Sequence, residues 1–206
     1  MQDNVKRIVI GISGASGAAY GIRLLEGLKA AGAETHLVIS RWGAYTIGQE
    51  TDFGLDAVRA LATHVYEADD MAAPISSGSY PIDAMAVVPC SMKTLAGIAS
   101  GFSEDLIMRA ADVCLKERRP LVLAVRETPL SRIHLDNMLR ATDAGAVCMP
   151  PMPALYTKPC SVDEIVSQSV YRIMEKLGVS PGEGIRRWDG GDAGGAIPKS
   201  WADWDA

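Results

Sequence analysis

The sequence predicts an α/β fold of three layers, with a parallel, doubly wound sheet at its centre. Three observations carry this expectation. Short apolar runs that read as buried strands alternate with longer stretches of helical periodicity along most of the chain. Turn residues punctuate each change of period. The length, 206 residues at 48% hydrophobic content, is enough to bury a full core and fits one α/β domain better than two.

Residues 7–12 (RIVIGI) make the first strand, and 18–31 carry Tyr20, Leu24, Leu25 and Leu28 at helical spacing until Gly32 stops the helix. Residues 35–39 form the second strand. Helical patterns follow at 44–50 and 55–62, and the Ala, Pro, Ser and Gly-rich segment 72–81 is a loop long enough to be functional. Residues 84–88 form the third strand, 94–99 and 105–117 are helices, and 120–125 (PLVLAV) is the fourth strand. Then come a helix at 131–142, a short fifth strand at 146–149, a Pro-rich loop at 150–159, and an amphipathic helix at 162–177 behind a Ser161 cap. Beyond Gly178 glycine accumulates and periodicity ends, so the tail is expected to be flexible or packed on a neighbour.

A net charge of −5 argues against nucleic acid and anionic membranes as partners, and assigns the arginines to a compact anion such as a small phosphorylated substrate. Cys90, Cys114, Cys148 and Cys160 form no CxxC pair, and His36, His64 and His134 are scattered, so spacing signals no metal site. The polar start shows neither a signal peptide nor a span, and a reduced, cytoplasmic protein is expected.

In open α/β sheets ligands bind beyond the carboxyl ends of the strands. The fourth strand delivers a cation and a carboxylate there together, Arg126 and Glu127. The first ends in GISGASG (11–17), whose glycines let backbone N–H groups approach an anion at a helix start. The spacing is not GxGxxG, Ser40 and Arg41 stand where a ribose-binding acid would close the second strand, and GxxxxGK[ST] is absent; a nicotinamide dinucleotide is disfavoured. The loop also falls one glycine short of a GxSxG nucleophile elbow. By itself it reads equally well as a tight turn with a serine cap. PCSMKT (89–94) adds hydroxyls, amides and a lysine at the same edge, with Cys90 a small apolar filler. Arg109 and Lys116 share a helix face; alone they read as solvated charges partnered by Asp112, and the company of Arg126 favours anion binding. His134 reads as structural, and Tyr156 and Arg172 carry no signal singly.

Taken together, GISGASG at 11–17, SGS at 77–79, PCSMKTL at 89–95, RAADVCLKERRPLVLAVRETPL at 109–130 and IHLDNML at 133–139 resemble the flavin prenyltransferases of the UbiX type, over residues 5–188. The resemblance implies a Rossmann-like flavoprotein fold, with 1–188 a single FMN-binding domain; the 189–206 tail departs from the family pattern, and its Trp201 and Trp204 are expected to dock on a neighbouring subunit. It implies a metal-independent transferase that joins the dimethylallyl group of dimethylallyl phosphate to reduced FMN at N5 and C6. It further implies a homo-oligomer, a dodecamer, that delivers prenylated FMN to a UbiD-type decarboxylase. By the same resemblance Gly14, Ala15 and Ser16 cradle the flavin, and Ser40, Ser91, Met92, Lys93, Thr94 and Arg126 complete the FMN site. Lys116, Tyr156 and Arg172 hold the dimethylallyl phosphate, with Arg109 and Glu127 nearby and Trp188 either closing the site or simply packing. Subunits sharing each site would account for the wide spacing of these residues in the sequence.

The implied chemistry suits the residue types. Lys and Arg stabilise the departing phosphate in place of the usual magnesium. Glu127 or the released phosphate accepts a proton, unless Glu127 only orients cations, and Ser16 either assists proton movement or only donates a hydrogen bond. Without an Asp-rich magnesium motif, the monophosphate is favoured over the diphosphate. Flavin-dependent decarboxylases of cysteine derivatives share the fold but rely on a histidine in the second strand–helix region, and residues 40–53 contain none. A non-enzymatic flavin carrier would leave Arg109, Lys116 and Arg172 without a task.

Overall fold

The structure, a computed structural model, describes residues 5–188 and 190; the rest of the 189–206 tail, including Trp201 and Trp204, lies outside the described residues. Six strands, β1 (Arg7–Ile12), β2 (Glu34–Ile39), β3 (His64–Tyr66), β4 (Ala84–Cys90), β5 (Leu121–Val125) and β6 (Val147–Cys148), form one parallel sheet in the order β3-β2-β1-β4-β5-β6. The α-helices among the described residues are α1 (Ala18–Ala30), α2 (Arg41–Glu50), α3 (Leu55–Arg59), α4 (Met92–Ser100), α5 (Leu106–Lys116), α6 (Arg132–Asp143) and α7 (Val162–Lys176). The predicted α/β class and parallel doubly wound sheet are what the chain forms.

Strand periodicity builds the layers. Alternate side chains of β1, β2 and β4, such as Ile8, Ile10, Leu37 and Ala86, pack under α1 and α7, whose Leu24, Leu25, Val170 and Ile173 are buried. The intervening residues, Val9, Val38, Met85 and Val87, face Leu95 and Ile98 of α4 and Ile107 and Ala111 of α5. Each large side chain buried this way contributes roughly 1.5–3 kcal/mol, and β4 and β5 are buried along their whole lengths. Among the described residues no helix is long and apolar enough to cross a membrane.

The structure departs from the sequence expectation in two places. β3 is an additional strand, three residues long, half-polar and exposed at the sheet edge; it shows no apolar run because only one neighbour covers it. It also brings together the histidines that are scattered in sequence, with His64 opposite His36. The second departure is that α2 and α4 start earlier than their apolar periodicity does. Ser40 Oγ accepts the Gly43 N–H at 3.0 Å and Ser91 Oγ accepts the Thr94 N–H at 3.3 Å, so each serine caps its helix and its hydroxyl sits at the carboxyl edge.

Candidate active site

β1 and β4 are neighbours whose chains continue to opposite sides, so a crevice opens between their carboxyl ends. Ser13 closes the floor of this crevice. Its buried hydroxyl donates to the Pro89 carbonyl at 2.9 Å and accepts the Ser91 N–H at 2.8 Å, tying the glycine loop after β1 to the loop after β4. Gly14 lies against Trp42 so closely that a Cβ there would stand 2.3 Å from the Trp42 Cβ. Gly14, Ser40, Ser91, Lys93 and Thr94 then line one cleft of about 360 Å³, with Arg41, Trp42, Ala68, Asp69, Glu104 and Asp105 completing its walls. Met92 and Lys93 occupy the first two positions of α4, where backbone N–H groups have no acceptor within the helix, and the Ser91 and Thr94 hydroxyls lie 3.1 Å apart beside them. That end of the cleft is built for an anion. Lys93 adds a cation on the rim, where it pairs with Glu104 at 2.8 Å.

The glycine loop is not the phosphate cradle its composition suggests. Glu50, the last residue of α2, reaches back so that one carboxylate oxygen accepts the N–H groups of Gly17 at 2.7 Å and Ala18 at 3.0 Å. The amino end of α1 is therefore already occupied by a protein carboxylate. Partial burial pushes the Glu50 carboxyl up, but the Ser16 hydroxyl, the two N–H groups and the Arg126 charge outweigh it and hold the group below the usual carboxylate range. Ser16 and Arg126 thus lie around the Glu50 carboxylate, beside Ala15, which is buried. Among the described residues the Gly14 and Ser16 N–H groups donate to no protein acceptor, and they remain available to a flat ligand lying on the loop. A cleft with an anion seat at one end and Trp42, Gly14 and free amides along its length fits a phosphate monoester carrying a planar ring.

Arg126 follows β5 and donates its backbone N–H to Cys90 at 3.1 Å. Glu127, next to it, is exposed and among the described residues accepts only its own neighbour's N–H, from Thr128 at 3.0 Å. Cys90 is fully buried, which pushes its thiol far above the ordinary value, in keeping with a filler. His134 Nδ1 accepts the Ser131 N–H at 3.2 Å in a capping box, a structural role.

The remaining predicted residues fall into two other places. Arg109 pairs with Asp112 at 2.8 Å and donates to the Ser76 carbonyl at 3.0 Å, while Lys116 pairs with Glu117 against Gly78. Both therefore face the 72–81 loop. α5 runs antiparallel to the strands, so Lys116 lies toward the amino edge of the sheet. β5 separates it from Glu127, a span of about 16 Å at ~3.3 Å per residue. One chain does not bring Lys116 to Glu127.

Tyr156 and Trp188 do meet, ring edge to face with centroids 5.8 Å apart. Gln168, buried on α7, makes this possible by clamping the chain at Arg186: its amide donates to the Arg186 carbonyl at 2.7 Å and accepts the Arg186 N–H at 3.2 Å. Arg172, one turn further along α7, pairs with Glu175 at 2.7 Å and borders the 149–154 segment. Ser13, Glu50 and Gln168 are residues that shape these places and that sequence reasoning did not single out. Each acts through a long-range contact, and no local motif marks it. A cavity of about 600 Å³ between the carboxyl ends of α1 and α7 is larger than the cleft but gathers no convergent polar side chains.

The strand order and this carboxyl-edge cleft define the class: a Rossmann-type protein that binds a phosphorylated planar ligand at its switch point. Residues 1–174 match the Flavoprotein family. The chain is 50% identical over 188 residues to the flavin prenyltransferase UbiX of Escherichia coli K12, covering 90% of this chain and 100% of that one. AnUbiX (PadA1), solved in complex with FMN and dimethylallyl pyrophosphate, superposes with a TM-score of 0.90 at 53% identity, covering 92% of this chain and 100% of that one. A dodecameric FMN-dependent UbiX-like protein from Escherichia coli O157:H7 gives a TM-score of 0.86 at 48% identity, covering 89% and 100%. The chain belongs to the UbiX flavin prenyltransferase family.

Proposed function

We propose that this protein joins the dimethylallyl group of dimethylallyl phosphate to reduced FMN at N5 and C6, without a metal ion, in a single FMN-binding domain of residues 1–188. The observation that carries the reading is the cleft itself, in which Gly14, Ser40, Ser91, Lys93 and Thr94 converge at the β1–β4 switch point. Ser91, Thr94 and the free amides of α4 hold the FMN phosphate, while Gly14, Ala15 and Ser16 support the ring. When bound, reduced FMN supplies N5 and C6 as its two nucleophilic positions.

The other residues act on the second substrate. Lys116, Arg109 and Arg172 stabilise the negative charge that grows on the phosphate oxygen as the allylic C–O bond breaks. The faces of Tyr156 and Trp188 shelter the allylic cation. Glu127 accepts the proton released as the new ring closes, and Ser16, beside Glu50, assists proton movement at the flavin. Because Lys116 and Glu127 sit at opposite sheet edges of one chain, the complete site is shared between subunits of a homo-oligomer, a dodecamer like that of the Escherichia coli O157:H7 relative. The product passes to a UbiD-type decarboxylase, and the protein works in the cytoplasm.

The test is anaerobic incubation of reduced FMN with dimethylallyl phosphate, and in parallel with the diphosphate, followed by mass and absorbance of the flavin. A prenyl mass increase with the monophosphate, slowed in Glu127→Gln, is expected. Unchanged FMN with both donors overturns the reading.

A further inference from the structure

One cluster of titratable side chains takes no part in the reaction above. Glu34 and His36 point to the same face of β2, and parallel pairing sets His64 of β3 opposite His36. Glu34 Oε1 lies 3.2 Å from His36 Nε2 and 3.4 Å from His64 Nε2. Two donors bound at ~2.05 Å to a tetrahedral ion stand about 3.3 Å apart, so both separations are those of a coordination edge. The three ligand atoms all lie within 4.8 Å of one another.

A second observation points inward from His36. The residue is fully buried, and among the described residues its Nε2 finds no well-formed hydrogen bond, although the Glu34 carboxylate stands 3.2 Å away. A buried polar atom without a partner is uncommon and calls for one. The other ring nitrogen, Nδ1, lies 3.0 Å from the Tyr66 hydroxyl, which can accept its proton and so serve as the outer-shell partner of an imidazole that ligates through Nε2. Arg7 Nε binds the far oxygen, Glu34 Oε2, at 3.2 Å and so turns Oε1 toward the histidines; its charge weakens cation binding without filling the space between them. His64 stacks on His36 with centroids 4.7 Å apart and is half-exposed, so its ring is accessible from solvent and has room to turn.

We propose that Glu34, His36 and His64 form a binding site for a divalent ion of the zinc class, with a fourth position open to water, that fastens the edge strand β3 to β2. Two imidazoles and one carboxylate favour such an ion over magnesium or calcium, which take oxygen ligands. The site lies on the amino-terminal half of β2, away from the cleft beyond its carboxyl end.

Equilibrium dialysis of the metal-free full-length oligomer against zinc, with metal counted by mass spectrometry, tests this. One zinc per chain is expected. His64→Ala weakens binding by more than about 100-fold and Tyr66→Phe by about 10- to 100-fold. Zinc raises the thermal midpoint of the wild type and not of His64→Ala, while prenyl transfer is the same in both. Zinc retained equally by His64→Ala, as binding to cysteine would give, or the absence of binding at micromolar zinc, overturns the proposal.

Discussion

Replacing Ser13 by alanine removes two hydrogen bonds at one buried atom and nothing else. The Pro89 carbonyl keeps a partner, because the Ser13 backbone N–H also donates to it at 3.2 Å. The Ser91 N–H keeps none, since the Ser13 hydroxyl is the acceptor it uses. Losing the first bond costs about 1 kcal/mol, and orphaning the part-buried Ser91 N–H costs up to about 1–3 kcal/mol, so Ser13→Ala is expected to destabilise the protein by about 2–4 kcal/mol. Part of this reappears in ligand binding. Ser91 is the cap that presents the amides of α4, and a ligand must restore its alignment. If about 1–2 kcal/mol is transferred in this way, FMN affinity falls roughly 5- to 30-fold. Urea unfolding at fixed protein concentration measures the first quantity and flavin fluorescence titration the second. Stability within 0.5 kcal/mol of wild type, a margin of about half a hydrogen bond, refutes the bridging role.

Three further outcomes follow from the same geometry. Gly14→Ala drives a Cβ into Trp42 and should cost about 1–3 kcal/mol and FMN binding; Trp42→Ala does not rescue it, because the clashing Cβ and backbone remain, and rescue in thermal melts would disprove the contact. Glu50 is held below the ordinary carboxylate pKa, so its contribution is present above that value and is lost as pH falls through the folded-state one. Glu50→Gln should flatten the acid limb of the stability curve by less than about 1 kcal/mol for this exposed group, and an unchanged limb in acid titration counts against the cap. Co-expressing Lys116→Ala with Glu127→Gln, each strongly slowed alone, should raise turnover toward about a quarter of wild type if subunits share the site, and give no gain over the separate variants if each chain works alone.

What the sequence revealed follows the range of the interactions involved. The strands were legible because each is an apolar run flanked by turn residues, and GISGASG and PCSMKT pointed to the carboxyl edge because topology places every strand-to-helix loop there. β3 was not legible, since His64, Val65 and Tyr66 are held by one neighbour and by His36, none of which leaves a local pattern. Glu50 and Gln168 escaped for the same reason, as each finds its partners at positions distant in the chain. Lys116 and Glu127 were both picked out, but their placement at opposite edges depends on the direction of α5, which a list of motifs does not contain. The family resemblance linked residues that the single chain keeps apart.

The carboxylate at the start of α1 has a consequence for competition among solutes. A side chain tethered one helix away presents itself to the Gly17 and Ala18 amides at an effective concentration in the millimolar range or above. Free phosphate would have to displace it and then face its charge. Glu50 therefore acts as a resident occupant of the Gly17 and Ala18 amides, whereas among the described residues no carboxylate caps the start of α4.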